Sequence, residues 1–230
     1  MKRCFIYFMA SMTVYFAACS VEGSYNGSLP EQKQMILKVR ENGEKHIYFG
    51  CSRDEKIRII WGDGERSDID LYASYNQIDV SHTYSSAEEH TITISGDIVQ
   101  ITQFDCQNIN VTSLDVSNLT KLKVLKCSQN RLLVLNIEKN TELEDLACNN
   151  NKLTNLDVTN NNKMNSLDVS SNQLNVAALN SLIGTLHSSN ISGKIIYIGN
   201  NPGTEECQKN LAETKNWTVN TARIYKDLDE

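Results

Sequence analysis

The chain has 230 residues, 40% of them apolar, with 22 basic and 28 acidic side chains and a formal charge of −6. That length is enough for one or two small domains. No basic stripe appears, which argues against a nucleic-acid partner, and the acidic balance argues against electrostatic docking on anionic lipid. Residues 1–18 read as a secretion signal, with Lys2 and Arg3 as a short basic region. Phe5 to Ala18 follows as an apolar stretch too short for a comfortable membrane span.

The signal ends in Phe16-Ala17-Ala18-Cys19, which resembles a bacterial lipobox: a bulky apolar residue, two small ones, then the cysteine that is acylated. The resemblance implies lipid attachment at Cys19 and an exported, membrane-anchored lipoprotein. Two or more acyl chains anchor stably, since each buried CH₂ adds roughly 0.8 kcal/mol. Residues 19–34 are polar, with Gly, Ser and Pro30, and read as a lipidated flexible tether.

Residues 35–97 carry a β pattern. Short runs rich in β-branched and aromatic residues cover 36–39, 46–49, 56–61 and 91–94, punctuated by Gly43, Gly50 and Gly62-Asp63-Gly64. This spacing predicts a small antiparallel sandwich. Trp61-Gly62-Asp63-Gly64, then His82-Thr83-Tyr84, then the alternating strand at 91–94, resembles the PKD-type immunoglobulin-like domain. Asp63 between two glycines reads as a hairpin turn. His82, with no nucleophile paired to it, reads as a structural strand residue.

Residues 98–174 repeat with a period of 21, Val111, Leu132, Leu153 and Leu174 opening successive copies. A fixed period of this size predicts a solenoid in which each copy buries its apolar side against its neighbours. Each copy holds two half-units of the form L-x-x-L-x-[V/C], whose alternation suits one short strand apiece. Two parallel ladders are expected. One runs Leu114/Val116, Leu135/Ile137, Leu156/Val158; the other runs Phe104/Cys106, Leu125/Cys127, Leu146/Cys148, Leu167/Val169. Cys106 lies 21 residues before Cys127, so the β-domain is expected to cap the solenoid rather than swing freely. Asn130, Asn151 and Asn172 share one phase, where the junction copy has Ile109.

The pattern L-x-x-L-x-C-x-x-N-x-L, at 122–132 and 143–153, resembles the leucine-rich-repeat signature. The resemblance implies that the three asparagines form a ladder bonding backbone groups of adjacent coils. It also implies that the outward positions of the second ladder form a concave binding face: Gln103, Asp105, Gln107, Val124, Lys126, Ser128, Asp145, Ala147, Asn149, Ser166, Asp168 and Ser170. Residues 175–220 read as an α/β cap. Asn175 starts a helix with Leu179, Leu182, Ile183 and Leu186 at helical spacing. A strand at 194–198, a turn at 200–203, a helix at 205–215 and a strand at 217–219 follow. Residues 221–230 form a charged tail.

The expected fold is therefore mainly β: a PKD-like β-sandwich, a short leucine-rich-repeat solenoid of 21-residue repeats, and an α/β cap. The whole arrangement resembles a family of surface lipoproteins of Gram-negative gut anaerobes, which implies an outer-membrane, cell-surface and non-catalytic protein. The chain carries no nucleophile elbow, P-loop, dinucleotide fingerprint or HExxH. Cys106, Cys127 and Cys148 are succeeded in their ladder by Val169. Valine replaces a small buried hydrophobe but not a metal ligand or disulfide partner, so neither metal nor cofactor is expected. Asp115, Asp157 and Asp168 recur at outward positions as solvated faces do, where a glycosidase needs two carboxylates in a cleft. The leading reading is a surface-anchored module that binds a protein partner. The alternatives are glycan capture and a structural spacer of the envelope. Sugar sites stack on aromatics, and none lies between Asp105 and Ile196; Tyr72, Tyr75 and Tyr84 keep the glycan reading open.

Overall fold

The computed structural model describes residues 33–222. The signal segment, the lipid-attachment residue Cys19, nearly all of the tether and nearly all of the tail lie outside the described residues. The described chain is mainly β, with two short α-helices.

The first six strands are β1 (Gln34–Arg40), β2 (Gly43–Cys51), β3 (Glu55–Ile60), β4 (Arg66–Leu71), β5 (Ile78–Tyr84) and β6 (Glu89–Gly96). Their inward residues alternate as the pleat requires: Met35, Leu37 and Val39 on β1, Ile57 and Ile59 on β3, Ile92 and Ile94 on β6 are all buried. The Trp-Gly-Asp-Gly turn is locked to β5 by side chains. Trp61 stacks on His82 with centroids 4.6 Å apart, and the Tyr84 hydroxyl donates to the Trp61 carbonyl at 2.7 Å. Asp63 closes the turn by accepting from the Glu65 N–H at 3.0 Å and meets His82 Nε2 at 2.6 Å. Gly62 sits at φ +88°, and a Cβ there would lie 2.6 Å from the Thr91 carbonyl oxygen, so only glycine fits.

The next strands are β7 (Ile101–Asp105), β8 (Val111–Asp115), β9 (Val124–Lys126), β10 (Asp145–Ala147) and β11 (Ser166–Asp168). After helix α1 (Val176–Thr185) come β12 (Ile195–Tyr197), the single turn α2 (Asn210–Glu213) and β13 (Thr218–Asn220). Two sheets result. Sheet A runs β4-β3-β6-β1-β8 and sheet B runs β13-β12-β11-β10-β9-β7-β2-β5. From β7 to β13 sheet B is parallel, while β2 pairs with β7, and β1 with β8, in antiparallel sense. Both sheets therefore run without a break from the N-terminal strands into the repeats. One apolar cluster extends through the whole.

Sheet B's inward row is Phe104, Leu125, Leu146, Leu167 and Ile196, all fully buried. Each contributes roughly 1.5–3 kcal/mol by leaving water. Beyond Leu174 the sequence period is lost, yet β12 and β13 keep the parallel stacking. Helix α1 is inserted between β11 and β12, so the chain makes a longer excursion before returning to the same sheet. Asn175 caps α1 by accepting from the Ala178 N–H at 2.9 Å, and Leu179, Leu182 and Ile183 are its buried residues.

The expected first ladder needs correction. Of its three segments only β8 is a strand, and it pairs with β1. Residues 132–137 and 153–158 have no strand pairing, although Leu135, Ile137, Leu156 and Val158 are buried as expected. Several N–H groups in and beside these segments are bound elsewhere. Leu132 and Leu153 donate to the side chains of Asn151 and Asn172, Glu138 and Thr159 donate to Asn136 and Asp157, and Val158 donates to the Thr185 hydroxyl. The second cap helix is also shorter than the expected 205–215.

Candidate binding face

Asparagines hold the coils together. Asn130 Nδ2 donates to the carbonyls of Cys106 at 2.8 Å and Cys127 at 3.0 Å, and its Oδ1 accepts from Val111 at 2.9 Å. Asn151 repeats this with Cys127 at 2.9 Å, Cys148 at 3.0 Å and Leu132 at 2.9 Å. Asn172 repeats it with Cys148 at 3.0 Å, Val169 at 3.1 Å and Leu153 at 2.9 Å. Asn201 of the cap makes the same set with Val169, Ile198 and Leu174. A second buried pair at the opposite bend is Asn140, donating to Val116 and Leu119, and Asn161, donating to Ile137 and Asn140. The recurrence of Asn140 at Asn161 was the available signal for it.

The thiols of Cys106, Cys127 and Cys148 are buried and free. Burial pushes Cys127 up to about 12 and the other two well above the usual thiol range. Such thiols are poor nucleophiles and poor ligands. Among the described residues, no group of three or more His, Cys, Asp or Glu side chains could hold a metal ion.

Outward side chains of sheet B form two registered rows. One reads Asp79, Tyr48, Asp105, Lys126, Ala147, Asp168, Tyr197, Asn220 across all eight strands. The other reads Gln103, Val124, Asp145, Ser166, Ile195, Thr218. Every residue of both rows is half-buried or exposed. Gly50 faces Gln103, and a Cβ there would crowd Gln103 Cβ at 3.0 Å. Tyr48, Asp79, Ile195 and Tyr197 belong to this face although the repeat period does not reach them. Tyr48 carries His46 stacked beside it, centroids 6.1 Å apart, and His46 Nδ1 meets Asp79 at 3.0 Å.

The remaining four expected face residues lie past the strand ends. Gln107 is exposed and Asn149 half-buried. Ser128 and Ser170 are buried, which takes them off the contact surface: Ser128 donates to Asn149 Oδ1 and Ser170 donates to Asp168 Oδ1 at 2.6 Å. The recurring aspartates are more than a solvated face. Asp105, Asp115, Asp157 and Asp168 each accept the backbone N–H two residues on, at 2.8–3.0 Å, and so turn the chain, the first two and the last at strand ends. Burial, with a smaller contribution from Asp145, raises the Asp168 carboxyl above the usual carboxylate range, despite bonds from Ser170 that lower it.

No protein-family model matches the chain, and no curated protein matches it. Among solved structures it is similar to three internalins of Listeria monocytogenes. The functional domain of InlJ, which includes a cysteine ladder, shares 27% identity over 57% of this chain and 32% of that one, with a TM-score of 0.40. InlF shares 16% over 48% and 38%, with a TM-score of 0.39. Internalin C2 shares 16% over 59% and 81%, with a TM-score of 0.26. The chain spans about a third of the length of the first two.

Proposed function

We propose that the protein is a surface lipoprotein, anchored through Cys19, that binds a protein partner on the outer face of sheet B. In this reading residues 35–97 are a PKD-like sandwich, and residues 98–174 a leucine-rich-repeat array closed by the cap at 175–220. The resemblances stated above support the outer membrane as its site and export as its route. The single observation that carries the binding role is the uncovered face: two registered rows cross a rigid sheet and every member keeps solvent exposure. Sites on packed strands hold their side chains in place before a partner arrives, which lowers the ordering cost of binding. A second reading, glycan capture, gains from Tyr48 and Tyr197, since sugars stack on exposed rings.

Two measurements test this. Protease treatment of intact cells should digest the wild-type protein, and Cys19→Ala should lose membrane association. Full protection of a membrane-bound wild type would move the folded body to the periplasm. Lys126→Ala and Asp145→Ala should each weaken binding of a confirmed partner, by about fivefold or more. Unchanged affinity in both would remove the face from the reading.

A further inference from the structure

Charge on the outer face of sheet B is mostly unpaired and mostly negative. Away from the outer face of sheet B, some carboxylates are neutralised in pairs, while others, such as Glu88, Asp115, Glu138 and Glu213, have no ion-pair partner among the described residues. Lys38–Glu89 meet at 3.0 Å, Lys56–Asp70 at 2.9 Å, Arg58–Asp68 at 2.6 Å, Lys123–Glu144 at 2.9 Å and Lys163–Glu142 at 2.6 Å. On the face only Asp79 has a basic neighbour, His46 at 3.0 Å. Among the described residues, no lysine, arginine or histidine nitrogen lies within 4.0 Å of Asp105, Asp145 or Asp168, and Lys126 has no carboxylate at that range. The two registered rows hold four carboxylates (Asp79, Asp105, Asp145, Asp168) and one ammonium (Lys126), a net of four minus one, or −3 with His46 neutral.

We infer that this face receives a cationic, extended protein segment. The segment crosses the strands from Tyr48 to Tyr197, its lysine or arginine side chains set against Asp105, Asp145 and Asp168. This rests on the reading of the face as the interaction surface and names the chemistry of what binds there.

Four considerations carry it. A cation arriving at Asp145 or Asp168 breaks no existing ion pair, so its attraction is not spent on displacing a resident partner. Asp145 also raises the cost of the ionised Asp168, and burial does so more strongly; the charge of an incoming cation offsets that cost. Unneutralised charge of one sign over a low-dielectric sheet focuses its field outward and speeds the approach of an opposite charge. Finally, Tyr48 on β2 and Tyr197 on β12 stand five strand spacings apart in sheet B. That is about 24 Å, a distance an extended chain covers in about seven residues. Tyrosine offers a ring face to a cation and a hydroxyl to backbone groups, which suits the two ends of such a footprint. Lys126, between Asp105 and the Asp145/Asp168 pair, repels a cation at that point. In the native partner it sets the register by pairing with an acidic residue there.

The test is titration of the isotope-labelled full chain with hexa-arginine, hexaglutamate and a neutral Gly-Ser hexapeptide, read by amide chemical shifts. The expected result is saturable shifts from hexa-arginine confined to β2, β7, β9, β10, β11 and β12, weakened by salt. The triple variant Asp105→Asn/Asp145→Asn/Asp168→Asn should raise the Kd about tenfold or more. The turns survive this change, because Asn136 and Asn220 already accept the N–H two residues on, at 2.9 and 2.8 Å. A control, Glu88→Gln/Glu138→Gln/Glu213→Gln, changes net charge equally and should leave the Kd within about twofold. Equal loss in both variants would mean general charge attraction and overturn the proposal. Shifts on the same strands from hexaglutamate or the neutral peptide, and not from hexa-arginine, would overturn the cationic assignment while keeping the face. Shifts from no peptide on these strands would remove both.

Discussion

His187 sits where the last repeat meets the cap. Its Nε2 donates to the Met164 carbonyl at 2.7 Å, its Nδ1 accepts from the Ser189 N–H at 3.2 Å, and its ring packs on Trp217 at 5.4 Å. Both nitrogens are committed to the neutral form, since protonated Nδ1 would face another donor. Burial, followed by the charges of Lys194 and Lys215, pulls its pKa below the usual 6.5, against the raising effect of the Met164 bond. The folded pKa is the depressed one. His187 therefore supports the fold fully above the unfolded pKa and less as pH falls below it. His46 acts in the opposite sense: its bond to Asp79 raises its pKa, so its contribution holds at low pH and fades as pH rises through the raised value. With 40% of its side chain exposed, solvent screens that contribution and His187 should dominate. Urea midpoints taken from pH 7 to pH 5 should fall for the wild type. His187→Gln, which keeps a donor for Met164, should fall less steeply. Parallel slopes would mean that His187 does not carry the acid sensitivity of the cap.

At the scale of one coil, the asparagine ladder decides whether neighbours stay in register. In Asn151→Asp the carboxylate could still accept from Leu132, but it has no hydrogen for the carbonyls of Cys127 and Cys148. Each of these carbonyls loses one of its two side-chain donors, keeping Asn130 and Asn172 respectively, and a charge enters a site only 8% exposed. The expected destabilisation is about 3 kcal/mol or more, read as a lower urea midpoint with an unchanged slope. A midpoint equal to the wild type would contradict the ladder. This ladder was legible in the sequence because Asn130, Asn151 and Asn172 recur at one phase. Asn140 and Asn161 were harder to notice because Leu119 precedes them at that phase. The first-ladder expectation failed because side-chain alternation reports which residues turn inward and not where backbone N–H groups go. At Leu132 and Leu153 they go to asparagine side chains, and at Val158 to a hydroxyl. Tyr48 and Tyr197 were illegible as face residues for a related reason. Their place follows from the β2–β7 and β11–β12 registers, and neither pairing leaves a trace in the 21-residue period.

Across the whole molecule, backbone pairing removes any seam at which the N-terminal strands could part from the repeats. Removing residues up to 97 would uncover the edges of β7 and β8 and strip β2 and β1 from them, leaving unpaired strand groups and exposed apolar surface. The far end is closed by burial of a charged group: Lys194 is 1% exposed, and its ammonium donates to the Ser189 and Lys215 carbonyls at 2.8 and 2.7 Å. A short stack of strand-bearing coils has few internal interfaces and depends on both closures, since each coil is stabilised through its neighbours. The two tryptophans make this measurable. Trp61 is buried among the first six strands, Trp217 in the cap, and the chain has no other. Trp61→Phe leaves Trp217 as the reporter and Trp217→Phe leaves Trp61. Each variant's fluorescence transition in urea should coincide with its own far-ultraviolet circular dichroism transition, because one cooperative unit gives one midpoint to every probe. Raw midpoints of the two variants can differ, since each loses different packing. If instead the Trp61 signal changes at a urea concentration where the dichroism of the same variant is still native, the N-terminal strands unfold alone. The two antiparallel pairings would then be too weak to unite them with the repeats.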